Sequence, residues 1–242
     1  GQTDTGCVRT RNQDYIYFSP EQTGDLENLF FLADGMGGYQ AGDYASWYAV
    51  EGLVSYMKEK KGIPVVTRFR EGIGQVNGQL FQKAQNSPEY KGMGTTLVAA
   101  STQEQTMYVA NVGDSRLYLL HNSQLSQITK DHSYVQELVS RGEISPEMAK
   151  NHPKKNYITR AMGAEDTVKV DVSIKPYNGE ILVLCSDGLT NFVEDDEIRT
   201  YIKNKSNLQK SAEELVALAN ERGGGDNITI VALEREKCDN EQ

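Results

Sequence analysis

The sequence predicts an α+β fold, a sandwich in which helix pairs cover two antiparallel β-sheets. Two strand-rich blocks occur, each with two segments of helical periodicity, which is the pattern of layered sheets carrying helices on their outer faces. Short polar links such as His121-Asn122-Ser123 join successive strands, as in an antiparallel meander. One strand, Leu29-Phe30-Phe31-Leu32-Ala33, is apolar on both faces and therefore central.

Taken in order, Tyr15-Ile16-Tyr17-Phe18 is the first expected strand and residues 29–33 the second. From Asp43 to about Lys60, Ala45, Tyr48, Ala49, Leu53 and Tyr56 recur at three- and four-residue steps, so an amphipathic helix is expected, ended by Gly62 and Pro64. Phe69, Ile73, Val76 and Leu80 repeat the pattern in a second helix. Strands are expected at 95–100, 106–112, 116–120 and 124–129. Residues 133–141 and 146–150 read as short helical pieces, and the polar stretch 151–156 as a surface loop. Residues 133–162 carry little apolar content and read as a flap appended to a single domain spanning 1–242. Strands at 168–173 and 180–185, helices at 195–203 and 212–222, and a strand at 228–233 close the chain.

Composition narrows the function. The 242 residues, 38 % apolar, suffice for a buried core. With 25 Lys and Arg against 34 Asp and Glu the net charge is −9, which argues against a protein that grips nucleic acid through its phosphates. No apolar run reaches the length of a membrane span. The three cysteines, Cys7, Cys185 and Cys238, form no CxxC pair and are odd in number, so a reduced, cytoplasmic chain is expected. Only His121, His132 and His152 are present and no HExxH occurs, which nearly excludes an imidazole zinc site. Any metal would be held by carboxylates, hence a hard cation such as Mg²⁺ or Mn²⁺.

Four aspartates share one setting at a strand end beside glycine: Asp34 before Gly35-Met36-Gly37-Gly38, Asp114 in Gly113-Asp114-Ser115-Arg116, Asp187 in Ser186-Asp187-Gly188-Leu189, and Asp226 after Gly223-Gly224-Gly225. A strand end fixes a carboxylate, and glycine lets backbone approach closely. One Asp-Gly is usually a turn. Four converging carboxylates would repel unless cations lay among them. Arg9-Thr10-Arg11-Asn12-Gln13-Asp14 before the first strand, and Gly94-Thr95-Thr96, read in isolation as a polar turn and a glycine turn into a β-branched strand.

Read in order, RTRNQD, DGMGG, GMGTT, GDSR, DHS, SDGL and GGGDN resemble the metal-dependent protein phosphatase (PPM, or protein phosphatase 2C) family, from about Thr3 to Leu233, and most of all its compact bacterial members that reverse serine/threonine kinase signalling. The resemblance implies a four-layer α-β-β-α sandwich and a dinuclear Mn²⁺/Mg²⁺ centre. It implies that Asp34 bridges both ions, that the Gly35 carbonyl adds a ligand, and that Asp187 and Asp226 hold the other ion. Asp14 would order metal-bound water, Asp114 with Asp187 would bind a third ion, and Arg9 would clamp the substrate phosphate. Metal-activated hydroxide would then attack phosphorus in phosphoserine or phosphothreonine proteins, a serine/threonine kinase among them, in a monomeric enzyme.

Two positions depart from the wider family. Gln13 stands where many members carry Glu, and Met36 where animal-type members have a His proposed as general acid. Cys185 lies in an apolar strand without a CxxxxxR loop and is expected to be an inert core thiol. His132 and His152 are expected to be structural, and Lys154-Lys155 a solvated pair. The flap is expected to modulate substrate access. Two alternatives stay open: a catalytically dead relative that acts as a scaffold, which predicts lost metal ligands, and an enzyme for a small phosphoester or phosphodiester.

Overall fold

The computed structural model describes residues 1–38, 41–203 and 207–235. Strands β1 (Gln2–Asp4), β2 (Asp14–Ser19) and β3 (Leu29–Met36) precede helices α1 (Ala41–Glu59) and α2 (Val65–Asn86). Then follow β4 (Gly94–Thr95), β5 (Leu97–Gln103), β6 (Thr106–Val112), β7 (Arg116–His121) and β8 (Gln124–Gln127). The flap holds α3 (Tyr134–Ser140) and α4 (Pro146–Lys150). The chain continues through β9 (Asp171–Pro176), β10 (Ile181–Cys185), α5 (Asp187–Thr190), α6 (Asp195–Lys203), α7 (Leu208–Glu221) and β11 (Ile228–Leu233). One sheet has the order β1-β11-β10-β7-β8, the other β2-β3-β5-β6-β9 with β4 beside β3, and every pairing is antiparallel.

The layering follows from side-chain alternation. Along β3, Leu29, Phe31 and Ala33 enter a core shared with α1 and α2, while Phe30 and Leu32 enter a second core between the sheets. Along β10, Leu182 and Leu184 join that middle core, while Val183 and Cys185 face a third one under α6 and α7. Three cores separate four layers, α-β-β-α, as the sequence predicts. Full burial of Phe31, Leu53, Phe69 and Leu80 in the first core contributes about 1.5–3 kcal/mol per side chain.

Several boundaries differ from expectation. The second strand runs past residue 33 to Met36, so Asp34 and Gly35 lie within it. The strand expected at 95–100 divides into β4 and β5. That expected at 168–173 is shifted to Asp171–Pro176, because Val168 and Val170 pack on the first core from outside the sheet and pairing with β6 begins only at Asp171. The last helix starts at Leu208, not 212, since Asn207 Oδ1 caps it by accepting from the Gln209 and Lys210 N–H groups. The three-residue β1, too polar to announce itself, was not expected.

Candidate active site

Strand ends from both sheets bring the predicted acidic residues together at one end of the sandwich. Asp14 opens β2 and stands directly opposite Asp34 of β3 in the register, a like-charge pair that repels. Asp14 also reaches the other sheet: its Oδ2 accepts from Ser186 Oγ at 2.8 Å and from Thr229 Oγ1 at 2.6 Å. Ser186 immediately precedes Asp187, and Thr229 lies in β11 just after Asp226. Oδ1 of Asp14 is buried with no hydrogen-bond partner.

Asp34 is braced through its backbone. Its N–H donates to Thr96 Oγ1, and its carbonyl accepts from the Thr96 N–H and from Thr95 Oγ1, each at 2.9 Å. Thr96 Oγ1 shares a further 2.7 Å hydrogen bond with Ser115 Oγ, beside Asp114. The Gly-Thr-Thr segment, unremarkable in isolation, therefore joins two of the acidic loops. A Cβ on Gly35 would stand 2.0 Å from the Gly42 carbonyl oxygen, and one on Gly188 would stand 1.9 Å from that of Asn227. Both glycines are dictated by backbone packed against the acidic positions.

The N-terminal motif is pinned by Asn227, next to Asp226. Its Nδ2 donates to the Thr5 and Arg11 carbonyls and its Oδ1 accepts from the Gln13 N–H, all at 2.8 Å. Arg9 Nη2, on a half-exposed side chain, donates to Asp226 Oδ2 at 2.9 Å. Asp187 Oδ2 accepts from Asn191 Nδ2 at 3.0 Å. Ser186, Thr96 and Asn227 lie within the motifs the sequence displays but carry no role there, and Thr229 lies outside all of them. Their one signal is adjacency to the aspartate motifs.

Burial and mutual repulsion govern the charges. Burial pushes the Asp14 carboxyl up to about 7, against the hydrogen bonds from Thr229 and Ser186, with Asp187 and Asp226 adding to the rise. Asp34 lies well above the usual carboxylate range, through burial first and then Asp14, Asp187, Asp114 and Asp226. Asp114 is raised well above it by burial and then by Asp187. Asp187 is raised by burial and then by Asp226. Asp34 thus feels the charge of all four other carboxylates, and Asp14, Asp114 and Asp187 each feel at least one of them.

Such a set fits hard cations in donor type and charge: the donors are oxygen only, their repulsion calls for counter-charge, and Asp14 Oδ1 is an unused buried acceptor. The side chains are not drawn into a closed cage. Among the described residues no three carboxylate, imidazole or thiol groups surround one point at ligating distance. A cavity of about 500 Å³ lined by Tyr48, Gln79, Lys83 and Asp166 lies on the outer helices, apart from this chemistry.

Other expectations resolve in turn. Cys185 is fully buried and burial pushes its thiol up to about 12, so it is an inert core group. Cys7 and Cys185 are free thiols, and Cys238 lies outside the described residues. His132 is buried and hydrogen-bonded through both ring nitrogens. Lys154 and Lys155 are both exposed, as expected of a solvated pair, and Lys154 Nζ in addition sits over the rings of Tyr134 and Tyr157, at 5.3 and 5.7 Å from their centroids.

The sequence profile of the family described as Protein phosphatase 2C matches residues 8–224. The chain belongs to the protein phosphatase 2C family. It is an enzyme of the phosphoprotein phosphatase class. This protein phosphatase 2C chain is 43 % identical over 241 residues to the serine/threonine phosphatase stp of Listeria welshimeri, covering 97 % of this chain and 94 % of that one. The crystal structure of serine/threonine phosphatase Stp1 from Staphylococcus aureus superposes with a TM-score of 0.91 at 39 % identity, over 98 % of this chain and 94 % of that one. The catalytic domain of the serine/threonine protein phosphatase PstP, in complex with two manganese ions, does so with a TM-score of 0.83 at 34 % identity, over 96 % and 94 %.

Proposed function

We propose that the chain dephosphorylates phosphoserine and phosphothreonine in proteins at a two-ion Mn²⁺ or Mg²⁺ centre and so reverses the action of a serine/threonine kinase. The observation that carries this reading is the gathering of four carboxylates from two sheets around Asp34, each of which raises its proton affinity, with Arg9 hydrogen-bonded to one of them. Asp34, the Gly35 carbonyl, Asp187 and Asp226 would hold the two ions, and Asp114 with Asp187 a third. The manganese-bound PstP structure supports metal dependence. Bound there, divalent ions neutralise phosphate charge and acidify water.

The remaining roles follow from the chain itself. Arg9 presents a planar fork suited to two phosphate oxygens, and its present pairing with Asp226 places it at the acidic cluster, where an incoming phosphate exchanges for the carboxylate. Asp14, with Oδ2 fixed by two hydroxyls, keeps Oδ1 as the acceptor that orients an attacking water. No Ser or Cys nucleophile is required. Met36 offers no proton to the leaving group. The same reading takes the chain as a single catalytic domain, monomeric and cytoplasmic, with the free Cys7 and Cys185 thiols supporting a reducing compartment.

Hydrolysis of a phosphothreonine peptide with Mn²⁺, with and without EDTA, tests the reading in the wild type and in Asp187→Asn. Turnover that requires Mn²⁺ and collapses in the variant is expected. Metal-independent hydrolysis, or an unimpaired variant, refutes it.

A further inference from the structure

The segment Asp131-His132-Ser133 takes no part in the function proposed above, yet it stands where β8 gives way to the flap. His132 satisfies both polar groups of the Gly113 backbone: its Nδ1 accepts the Gly113 N–H at 3.0 Å, and its own N–H donates to the Gly113 carbonyl at 2.9 Å. Gly113 has φ +105, and a Cβ there would stand 2.6 Å from the Thr96 methyl, so the turn that carries Asp114 is confined on its other side. Asn111 Nδ2 also reaches the Gly113 carbonyl, at 3.3 Å. Beyond Asp114, the Asp131 carboxylate accepts from Arg116 through Nε, 3.0 Å to each oxygen, and through Nη2 at 2.7 Å. Two consecutive residues thus grip the chain one position before Asp114 and two positions after it.

The same two residues are rooted in the flap. Ser133 pairs with Ile158 and caps α3 by accepting from the Gln136 N–H, while the His132 carbonyl accepts from the Thr159 N–H at 2.8 Å. His132 Nε2 lies 3.2 Å from Asp171 Oδ2 and 2.8 Å from Arg160 Nη1, and Arg160 itself donates to Asp171 Oδ1 at 2.9 Å. Entry to the flap, exit from it and the edge strand β9 therefore converge on one imidazole. We propose that Asp131 and His132 form a clamp that positions Asp114 and transmits flap displacement to it. Burial keeps the His132 pKa low, which suits a ring whose Nδ1 must stay unprotonated to accept from Gly113. His132 is a positioning residue and touches no substrate atom. The clamp stands on geometry, whereas its importance for metal binding rests on the proposed function.

Hydrogen exchange of the whole chain, read by mass spectrometry with parallel Mn²⁺ calorimetry, tests the clamp in the wild type, Asp114→Asn, His132→Ala and His132→Asn. In EDTA, His132→Ala should speed exchange roughly tenfold in peptides containing Gly113–Arg116 and in the flap together, the size of one lost hydrogen bond, with β3 and β5 unchanged. His132→Asn, whose Oδ1 can take over from Nδ1, should stay near the wild type. Mn²⁺ should protect the flap in the wild type and fail to do so in Asp114→Asn and His132→Ala. Faster exchange confined to the flap in His132→Ala, or Mn²⁺ protection that persists in either of those two variants, overturns the clamp. So does a wild type that binds Mn²⁺ without any change in flap exchange. A wild type that binds no Mn²⁺ overturns the proposed function instead, and the EDTA comparison then decides the clamp alone. Should His132→Ala not fold, Asp131→Asn replaces it in every arm.

Discussion

Replacing Thr96 with valine isolates the brace behind Asp34. The two side chains have nearly the same shape, so the change removes an oxygen and leaves the packing in place. Thr96 is 2 % exposed and Ser115 is fully buried. Without Thr96 Oγ1, the Asp34 N–H loses its 2.9 Å acceptor and Ser115 Oγ loses its 2.7 Å partner. An unsatisfied buried polar group costs about 1–3 kcal/mol, so two cost about 2–6 kcal/mol, against a total stability of about 5–15 kcal/mol for a domain. Thr96→Ser keeps both hydrogen bonds and forfeits one buried methyl, about 1 kcal/mol. Urea unfolding in EDTA measures the stability of both, and calorimetry measures Mn²⁺ affinity, which should fall more in Thr96→Val than in Thr96→Ser. Thr96→Val within 0.5 kcal/mol of the wild type would refute the brace.

Two further outcomes follow from charge. Asp25 is the partner of Arg68, which is 2 % exposed, and the guanidinium holds the Asp25 carboxyl down at about 2, below its ordinary 3.8. Asp25→Asn leaves the buried guanidinium with the Ile63 carbonyl and a neutral amide in place of the half-exposed carboxylate, and should cost about 1–3 kcal/mol. A lowered carboxyl contributes stability that is present above pH 4 and lost as pH falls through about 2, so acid unfolding of this variant should show a shallower decline over that window. Asp14 has the opposite sign: raised to about 7, it binds a proton more tightly in the folded chain. In EDTA the wild type should therefore lose stability as pH rises from about 4 to about 7, and Asp14→Asn should flatten that slope, while saturating Mn²⁺ should raise the melting temperature at pH 8. A pH-independent melting temperature in EDTA would count against both.

The layers were legible because apolar periodicity is strong where side chains enter cores, as along Leu29 to Ala33 and in the helices around Leu53 and Ile73. Edge strands escaped notice or slipped in register, since β1 is short and polar, β9 is largely exposed, and both owe their conformation to backbone pairing with Thr229 and Tyr108, which no local pattern reports. The aspartates stood out through their glycines, and Gly35 and Gly188 turn out to be required by approaching backbone. What supports the aspartates was hidden. Ser186, Thr229, Thr96 and Asn227 act through contacts as distant in sequence as 222 residues, between Asn227 and Thr5, and an ordinary hydroxyl or amide carries no mark of such a partner.

Strand order also bears on how this protein comes into being on the ribosome. Synthesis runs from the N-terminus, and the six-stranded sheet has all its strands once Pro176 has emerged. The other sheet waits: β1, made first, pairs only with β11, made last, and β7 remains without its inner neighbour until β10 arrives. Asp14 lacks both of its hydroxyl donors until Ser186 and Thr229 are out. A translation product that stops before Asp187 has three of the five carboxylates, one that passes Asp187 has four, and Asp226 follows only two residues before β11, the strand that completes the second sheet. Under the proposed function, chains that end before β11 should therefore show no activity toward phosphoproteins.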